Sequence, residues 1–202
     1  MSSFENRLEK LQQDILEGPH RISVYNDMPY AIFLYSPEEE WNMRKAIESL
    51  AIKLSHQGKK ITKISFETLM WDLFKQIDAI DPGEGLSGLI ENERSMSIAE
   101  AQKTIQKYLS GEVFGNENIS VLDLIEKQAS ALDPEHDIIF LVHAGAFAPH
   151  LFQVSSMVEQ MQGRISVPVI IFYPGTKEGT IGLRFMDLRD HEPTGNYRVS
   201  IY

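Results

Sequence analysis

The sequence predicts an α/β fold, and three observations carry the prediction. The runs YAIFLY (30–35), DIIFLVHA (137–144) and VPVIIFY (167–173) are apolar without alternation, as strands buried on both faces of a parallel sheet are. Helix-spaced apolar residues separate such runs. Trp41, Ala46, Ile47, Leu50, Ala51 and Leu54 follow the first run, and Leu151, Val154, Val158 and Met161 lie between the last two. Finally, about 70 residues after KITKISF (60–66) contain helical patterns and no strand. Together these predict three layers around a mostly parallel sheet, in the manner of a degenerate P-loop or Rossmann-like fold. A helical insertion follows the second strand, and an antiparallel β-hairpin closes the C-terminus.

In chain order, Phe4, Leu8, Leu11 and Ile15 recur at spacings of four, three and four and predict an amphipathic N-terminal helix. The first strand is YAIFLY. The helix after it ends near His56-Gln57-Gly58, where glycine suits a C-terminal stop. KITKISF is the second strand, and strand–helix–strand at this spacing is a βαβ unit. The insertion, about residues 67–132, reads as three helices: Phe66 to Ile80, Ser97 to Leu109 and Val121 to Leu132, with DPGEGLSG (81–88) as a break. TIGLRFMDL (180–188) and NYRVSIY (196–202) complete the strands. The linker RDHEPTGN (189–196), with Pro193 and Gly195, suggests that these two pair as the hairpin. One domain, 1–202, is expected, because the chain is long enough for a full core and has no repeat or low-complexity tract.

The charge is unevenly distributed. The net is −10, and residues 61–136 hold six Lys/Arg against fourteen Asp/Glu, a net of −8. The longest Lys/Arg run is two residues, so the basic footprint of a direct, strong nucleic-acid binder is missing. The acidic middle suits a solvated face or a basic partner. There is no cysteine, which excludes disulfides and thiolate zinc sites. No apolar run is long enough for a membrane span, and the N-terminus lacks the apolar core of a signal peptide. A cytoplasmic protein without a cofactor is expected.

The stretch VPVIIFYPGTKEGT (167–180) runs from a strand into a Gly/Thr/Lys loop, as phosphate sites do. A Walker A loop, however, needs Lys after its last glycine and a helix next. Here Thr180 follows Gly179, and a strand pattern follows the loop. The loop therefore reads as a Pro174-Gly175 turn between strands, with glycine supplying a positive φ. After the first strand, where an α/β nucleotide site would sit, the chain reads Ser36-Pro37-Glu38-Glu39-Glu40-Trp41. Ser36 and Pro37 suit a helix start. Three carboxylates there repel phosphate, and no glycine lets a ligand approach the backbone.

His143 follows a buried strand at the end where α/β proteins place ligands, and His150 lies seven residues on. Together with Tyr173 and Thr176, His143 outlines the non-standard site of an alternative reading, a nucleotide- or metal-binding enzyme. Against it, no Ser, Cys or carboxylate stands at a catalytic spacing, and a partly buried histidine bonded to backbone is the plainer reading. Asp133, Glu135, His136 and Asp137 read as turn chemistry at the opposite sheet end. Trp41, Trp71 and Phe74 read as core. Arg184, Asp187, Arg189, Asp190 and His191 form an ion-pair network or a partner contact. The candidate partner or ligand surface is therefore His143, Gly145, Tyr173, Pro174, Gly175, Thr176, Arg184 and Asp187, with no catalytic or metal-ligating residue assigned.

The blocks PYAIFLYSPEEEW with Arg44, DIIFLVHAGAFAP, VPVIIFYPGT with GLRFM, and terminal NYRVSIY resemble the BrxB family, the small B protein of BREX phage-resistance systems. The resemblance runs from about Phe4 to Tyr202. It implies a gene neighbourhood holding an adenine methyltransferase, a large AAA+ ATPase and PglZ, an alkaline-phosphatase-like protein. The family has no established catalytic residues. The expectation is therefore a non-catalytic adaptor that binds PglZ, with the ATPase and the methyltransferase as further partners.

Overall fold

The computed structural model describes residues 3–22, 29–109, 118–148, 153–179, 182–188 and 199–202. Two helices, α1 (Ser3–Glu17) and α2 (Pro19–Ile22), precede strand β1 (Tyr30–Tyr35). A 3₁₀ turn (Pro37–Glu39) leads into α3 (Glu40–His56), followed by β2 (Lys60–Ser65). Four helices follow: α4 (Phe66–Ile80), α5 (Leu86–Ser95), α6 (Ile98–Leu109) and α7 (Val121–Ala129). Strand β3 (Asp137–Val142), a second 3₁₀ turn (Ala144–Phe147) and α8 (Val154–Met161) come next. The chain then forms β4 (Val169–Glu178), β5 (Gly182–Phe185) and β6 (Ser200–Ile201).

The strands form one sheet in the order β2-β3-β4-β1-β6, with β5 attached to β4. All pairings along that path are parallel. All six residues of β1 and of β3 are buried, as are the first seven of β4. Alternate side chains serve two cores. Ala31, Phe33, Tyr35, Phe140 and Phe172 pack with Leu11 and Ile15 of α1 and with Met43, Ile47 and Leu50 of α3. Ile32, Leu34, Leu141, Ile171 and Tyr173 pack with α4, α7 and α8. The predicted mostly parallel, three-layer architecture is therefore present. Connections out of β1 cross one face, and those out of β2 and β3 cross the other.

The N-terminal helix lies against the sheet, as its apolar spacing predicts. Arg7 Nη1 donates to the Leu34 carbonyl at 2.6 Å, and the Tyr202 hydroxyl donates to Asp14 Oδ2 at 2.6 Å. Among its described residues the insertion holds four helices rather than about three, because a separate helix, α5, forms within 86–95. Asp78, on α4, accepts from the Ser87 N–H at 2.9 Å and from its hydroxyl at 2.6 Å, tying the start of α5 to α4. Helix α7 opens on a capping box, with Ser120 and Asp123 each bonded to the other's backbone N–H.

Two local readings need correction. Strand β4 does not turn at Pro174-Gly175 but runs on to Glu178, and the turn falls at Gly179, whose φ of +63° suits glycine. The antiparallel hairpin joins β4 to β5, with Gly175 opposite Phe185 and Thr176 opposite Arg184. The last strand pairs instead with β1, in parallel, and Tyr202 exchanges backbone bonds with Ile32 and Leu34 on the same strand. The short β4–β5 turn makes local pairing available, whereas β6 adds a strand along the otherwise open edge of β1. The linker 189–196 lies outside the described residues, as does Leu151.

Tyr30 is fully buried, and its hydroxyl donates to the carbonyls of Met161 at 2.8 Å and Ile165 at 2.5 Å. It fastens the end of α8 to the first residue of β1. Replacing it with Phe leaves the Ile165 carbonyl without this donor. Tyr30→Phe should cost about 1–2 kcal/mol in denaturant unfolding with an unchanged slope. An unaltered midpoint would show that the bond is not used.

Candidate functional site

The carboxyl ends of β2 and β3 and the first turns of α3 enclose a cleft of about 440 Å³, within the size range of small-molecule pockets. One wall is a stripe of α3: Trp41, Arg44, Lys45 and Glu48, spaced for one helix face. Ile47 and Val142 supply apolar lining, and Lys63, Ser65 and His143 form the opposite side. Trp41 is 68% exposed, contrary to its reading as core. Its stripe is rotated away from the buried one formed by Met43, Ile47, Leu50, Ala51 and Leu54. Trp71 is likewise exposed, whereas Phe74 is core.

Most charges around this cleft are already paired. Lys63 Nζ lies 2.5 and 2.6 Å from the two Glu48 carboxylate oxygens. Arg44 donates to Glu40 Oε1 through Nε at 2.8 Å, and the Tyr35 hydroxyl donates to Glu40 Oε2 at 2.5 Å. Burial, reinforced by that bond, raises the Tyr35 pKa far above its ordinary value. Of the acids at the helix start, Glu40 is thus held by two partners. Ser36 begins the 3₁₀ turn without a side-chain capping bond. The Lys45 ammonium stands 5.8 Å from the centre of the Trp41 ring, in cation–π range.

His143 is set into the cleft by an unusual backbone, at φ 62° and ψ 37°. This left-handed conformation costs a non-glycine residue about 1–2 kcal/mol. Its Nδ1 and Ser65 Oγ stand 2.9 Å apart in a hydrogen bond, so its partner is a side chain rather than backbone. Ser65 occupies the cap position of α4, yet its hydroxyl makes no capping bond. Burial, and then the Arg44 charge, lower the His143 pKa, against weaker upward pulls from Glu40, Glu67 and Glu48.

The other predicted surface residues lie elsewhere. Tyr173 is buried in the core on the α4/α7/α8 face, its ring 5.4 Å from Phe185. Pro174, Gly175, Thr176, Arg184 and Asp187 belong to the β4–β5 hairpin and its return. A Cβ on Gly175 would stand 2.1 Å from the Arg184 carbonyl oxygen. The Thr176 hydroxyl donates to Asp187 Oδ1 at 2.7 Å, and Arg184 Nε donates to Glu178 Oε2 at 2.9 Å. Gly145 stands near this group, with Met186 Sδ 3.8 Å from where its Cβ would be. His143, Tyr173 and Thr176 therefore do not line the cleft together. Asp133 accepts from His136 Nδ1–H or pairs with its imidazolium at 2.8 Å, the expected turn chemistry. His150, Arg189, Asp190 and His191 lie outside the described residues. Among the described residues, no three His, Asp or Glu side chains are grouped to hold a metal ion. No helix among them is long and apolar enough to cross a membrane.

Sequence reasoning found His143 but missed the wall facing it. Trp41, Arg44, Lys45 and Glu48 recur at helix spacing one step around from the core stripe, but only the helix's orientation against the sheet separates that face from the core.

These features define a three-layer α/β protein with a cleft outside the carboxyl ends of parallel strands. The sequence model of one family, the BREX protein BrxB, matches residues 62–200, more than half of the 202-residue chain. The chain belongs to the BrxB family and is thus a BREX-system protein of phage resistance. No curated protein and no solved structure matches it.

The His143 environment sets a pH dependence. Its folded pKa lies below the ordinary value of about 6.5, so just below that pH the unfolded chain binds more protons than the fold. This contribution to stability is complete above the ordinary value and is lost as pH falls through the folded one. NMR should find His143 titrating below that value, and Arg44→Ala should raise its midpoint by removing a cation and freeing Glu40. A midpoint unmoved by Arg44→Ala would leave burial as the only cause.

Proposed function

We propose that this BREX protein is a non-catalytic adaptor that holds another protein of the system, PglZ first among them. The observation supporting this reading is the apolar surface left in water on the helical insertion. Ile98 is 80% exposed, and Trp71, Ile80, Ile90 and Met96 are exposed as well. They come from α4, α5, α6 and the residue closing α5; α5 packs on α4, and α6 packs on α5. Single exposed apolar residues are ordinary, but several on one packed helical unit favour a partner.

The same region carries the excess acid, a net of −8 over residues 61–136, which favours a partner face rich in Lys and Arg. Family membership makes other BREX proteins the first partners to consider. PglZ leads, with the AAA+ ATPase and the methyltransferase behind it. The reading assigns no chemistry to the chain.

Tagged protein co-expressed with PglZ should retain it at low salt and release it as salt rises. The double variant Trp71→Asp/Ile98→Asp should lower the captured PglZ by about tenfold or more, with an unchanged melting temperature. PglZ absent from the low-salt eluate, or captured equally by the double variant, would overturn the reading.

A further inference from the structure

The cleft between α3 and the ends of β2 and β3 has a composition unlike the rest of the chain. The whole chain carries 19 Lys/Arg against 29 Asp/Glu. The cleft lining holds three cations, Arg44, Lys45 and Lys63, and the carboxylate of Glu48, with Glu40 and Glu67 close enough to act on His143. Cations gathered at one hollow of an acidic protein offer hydrogen-bond donors to an anion. Not all of this charge is consumed internally. Lys63 is matched by Glu48, but Arg44 hydrogen-bonds Glu40 through Nε and keeps its Nη groups for other acceptors, and among the described residues Lys45 makes no ion pair or hydrogen bond, its ammonium standing over the Trp41 ring.

The second feature is an aromatic platform. Trp41 is 68% exposed at the cleft wall, and an exposed indole is the strongest stacking surface a protein can offer a planar ring. The third is the Ser65–His143 pair. It uses Ser65 Oγ and His143 Nδ1 for each other and leaves His143 Nε2 without a partner among the described residues. The left-handed backbone of His143, set by the buried turn that follows it, holds the ring in the cleft.

We propose that this cleft binds a mononucleotide: Trp41 stacks on the base, Arg44 and Lys45 take the phosphate, and the Ser65–His143 pair hydrogen-bonds the base or sugar. The carboxylates that repel phosphate at the end of β1 do not prevent this. The cleft opens beside β2 and β3; Glu38 and Glu39 are not among its lining residues, and Glu40 is held by Arg44 and Tyr35. Binding here is independent of the adaptor role and involves no covalent step.

The chain has two tryptophans, so in a Trp71→Phe background the fluorescence reports Trp41 alone. Titration with AMP, GMP and ATP should give saturable quenching by at least one of them. Adenosine and ribose 5-phosphate should each bind about tenfold more weakly, because each lacks one of the two recognised groups. By calorimetry, Trp41→Ala and Lys45→Ala should each lower affinity by about tenfold. Both side chains are exposed, so melting temperatures should not change. Three results would overturn the proposal: no saturable binding up to about 10 mM nucleotide, equal binding by Trp41→Ala, or ribose 5-phosphate binding as tightly as the nucleotides. A negative titration leaves PglZ capture untouched, and a failed capture leaves the titration untouched.

Discussion

Strands β1 and β3 have no side chain facing water, and the rest of the architecture follows from that. A sheet with both faces apolar must be covered twice, so the chain has to place helices on each side. It does so with α1 and α3 on one face and α4, α7 and α8 on the other. Each of these helices carries a buried stripe matched to alternate residues of the same strands, so Ile32 and Phe33 commit to opposite cores. A one-residue slip in β1 would exchange the two sets. The Tyr30 hydroxyl is a polar exception within this shell, and its two carbonyl partners lie at the end of α8 and just beyond it.

The carboxyl edge of this sheet is where the layers separate and polar chemistry gathers. Tyr35, Glu40 and Arg44 form a chain of hydrogen bonds across the start of α3. The acids at that helix start therefore do not act as three free charges. Glu40 serves to orient Arg44, whose guanidinium stands over the neighbouring cleft. The charge pattern that argues against a phosphate at the end of β1 thus helps build a cationic wall beside β2. The two observations are compatible because they concern different strand ends.

Much of the fold is legible in the sequence because its signals are local. Apolar runs mark the buried strands, helix spacing marks α1, α3, α4 and α8, and Gly58 and Gly163 stand just beyond the ends of α3 and α8. What depends on distant partners is harder to read. The pairing of β6 with β1 joins residues about 170 apart in the chain, and no short pattern specifies it. Pro174-Gly175 carries the composition of a turn, yet Pro174 accepts from the Met186 N–H at 2.9 Å and Gly175 is needed for close approach to Arg184. The same composition serves an extended strand under tight packing. At the cleft, His143 was legible from its place after a buried strand. Trp41 was not, because an aromatic residue beside an apolar stripe reads as core until the helix is oriented against the sheet.

Among the described residues, three non-glycine residues hold positive φ angles: His143, Met186 and Asp187. The last two are the centre of a tight turn closed by the Leu188 N–H to the Phe185 carbonyl at 3.0 Å, a geometry that glycine or asparagine would adopt at lower cost. Each strained residue has a contact that glycine could not make. Asp187 accepts from Thr176, Met186 packs against the core beside Gly145, and His143 bonds Ser65. Between them lies the 3₁₀ turn Ala144–Phe147, fixed from below by fully buried Ala144 and by Phe147, whose ring stands 5.1 Å from Phe66. Core packing thus determines where that turn sits, and the backbone of His143 must accommodate the abrupt exit from β3. The strain is a consequence of the core, and the side chain it displays is what the cleft receives.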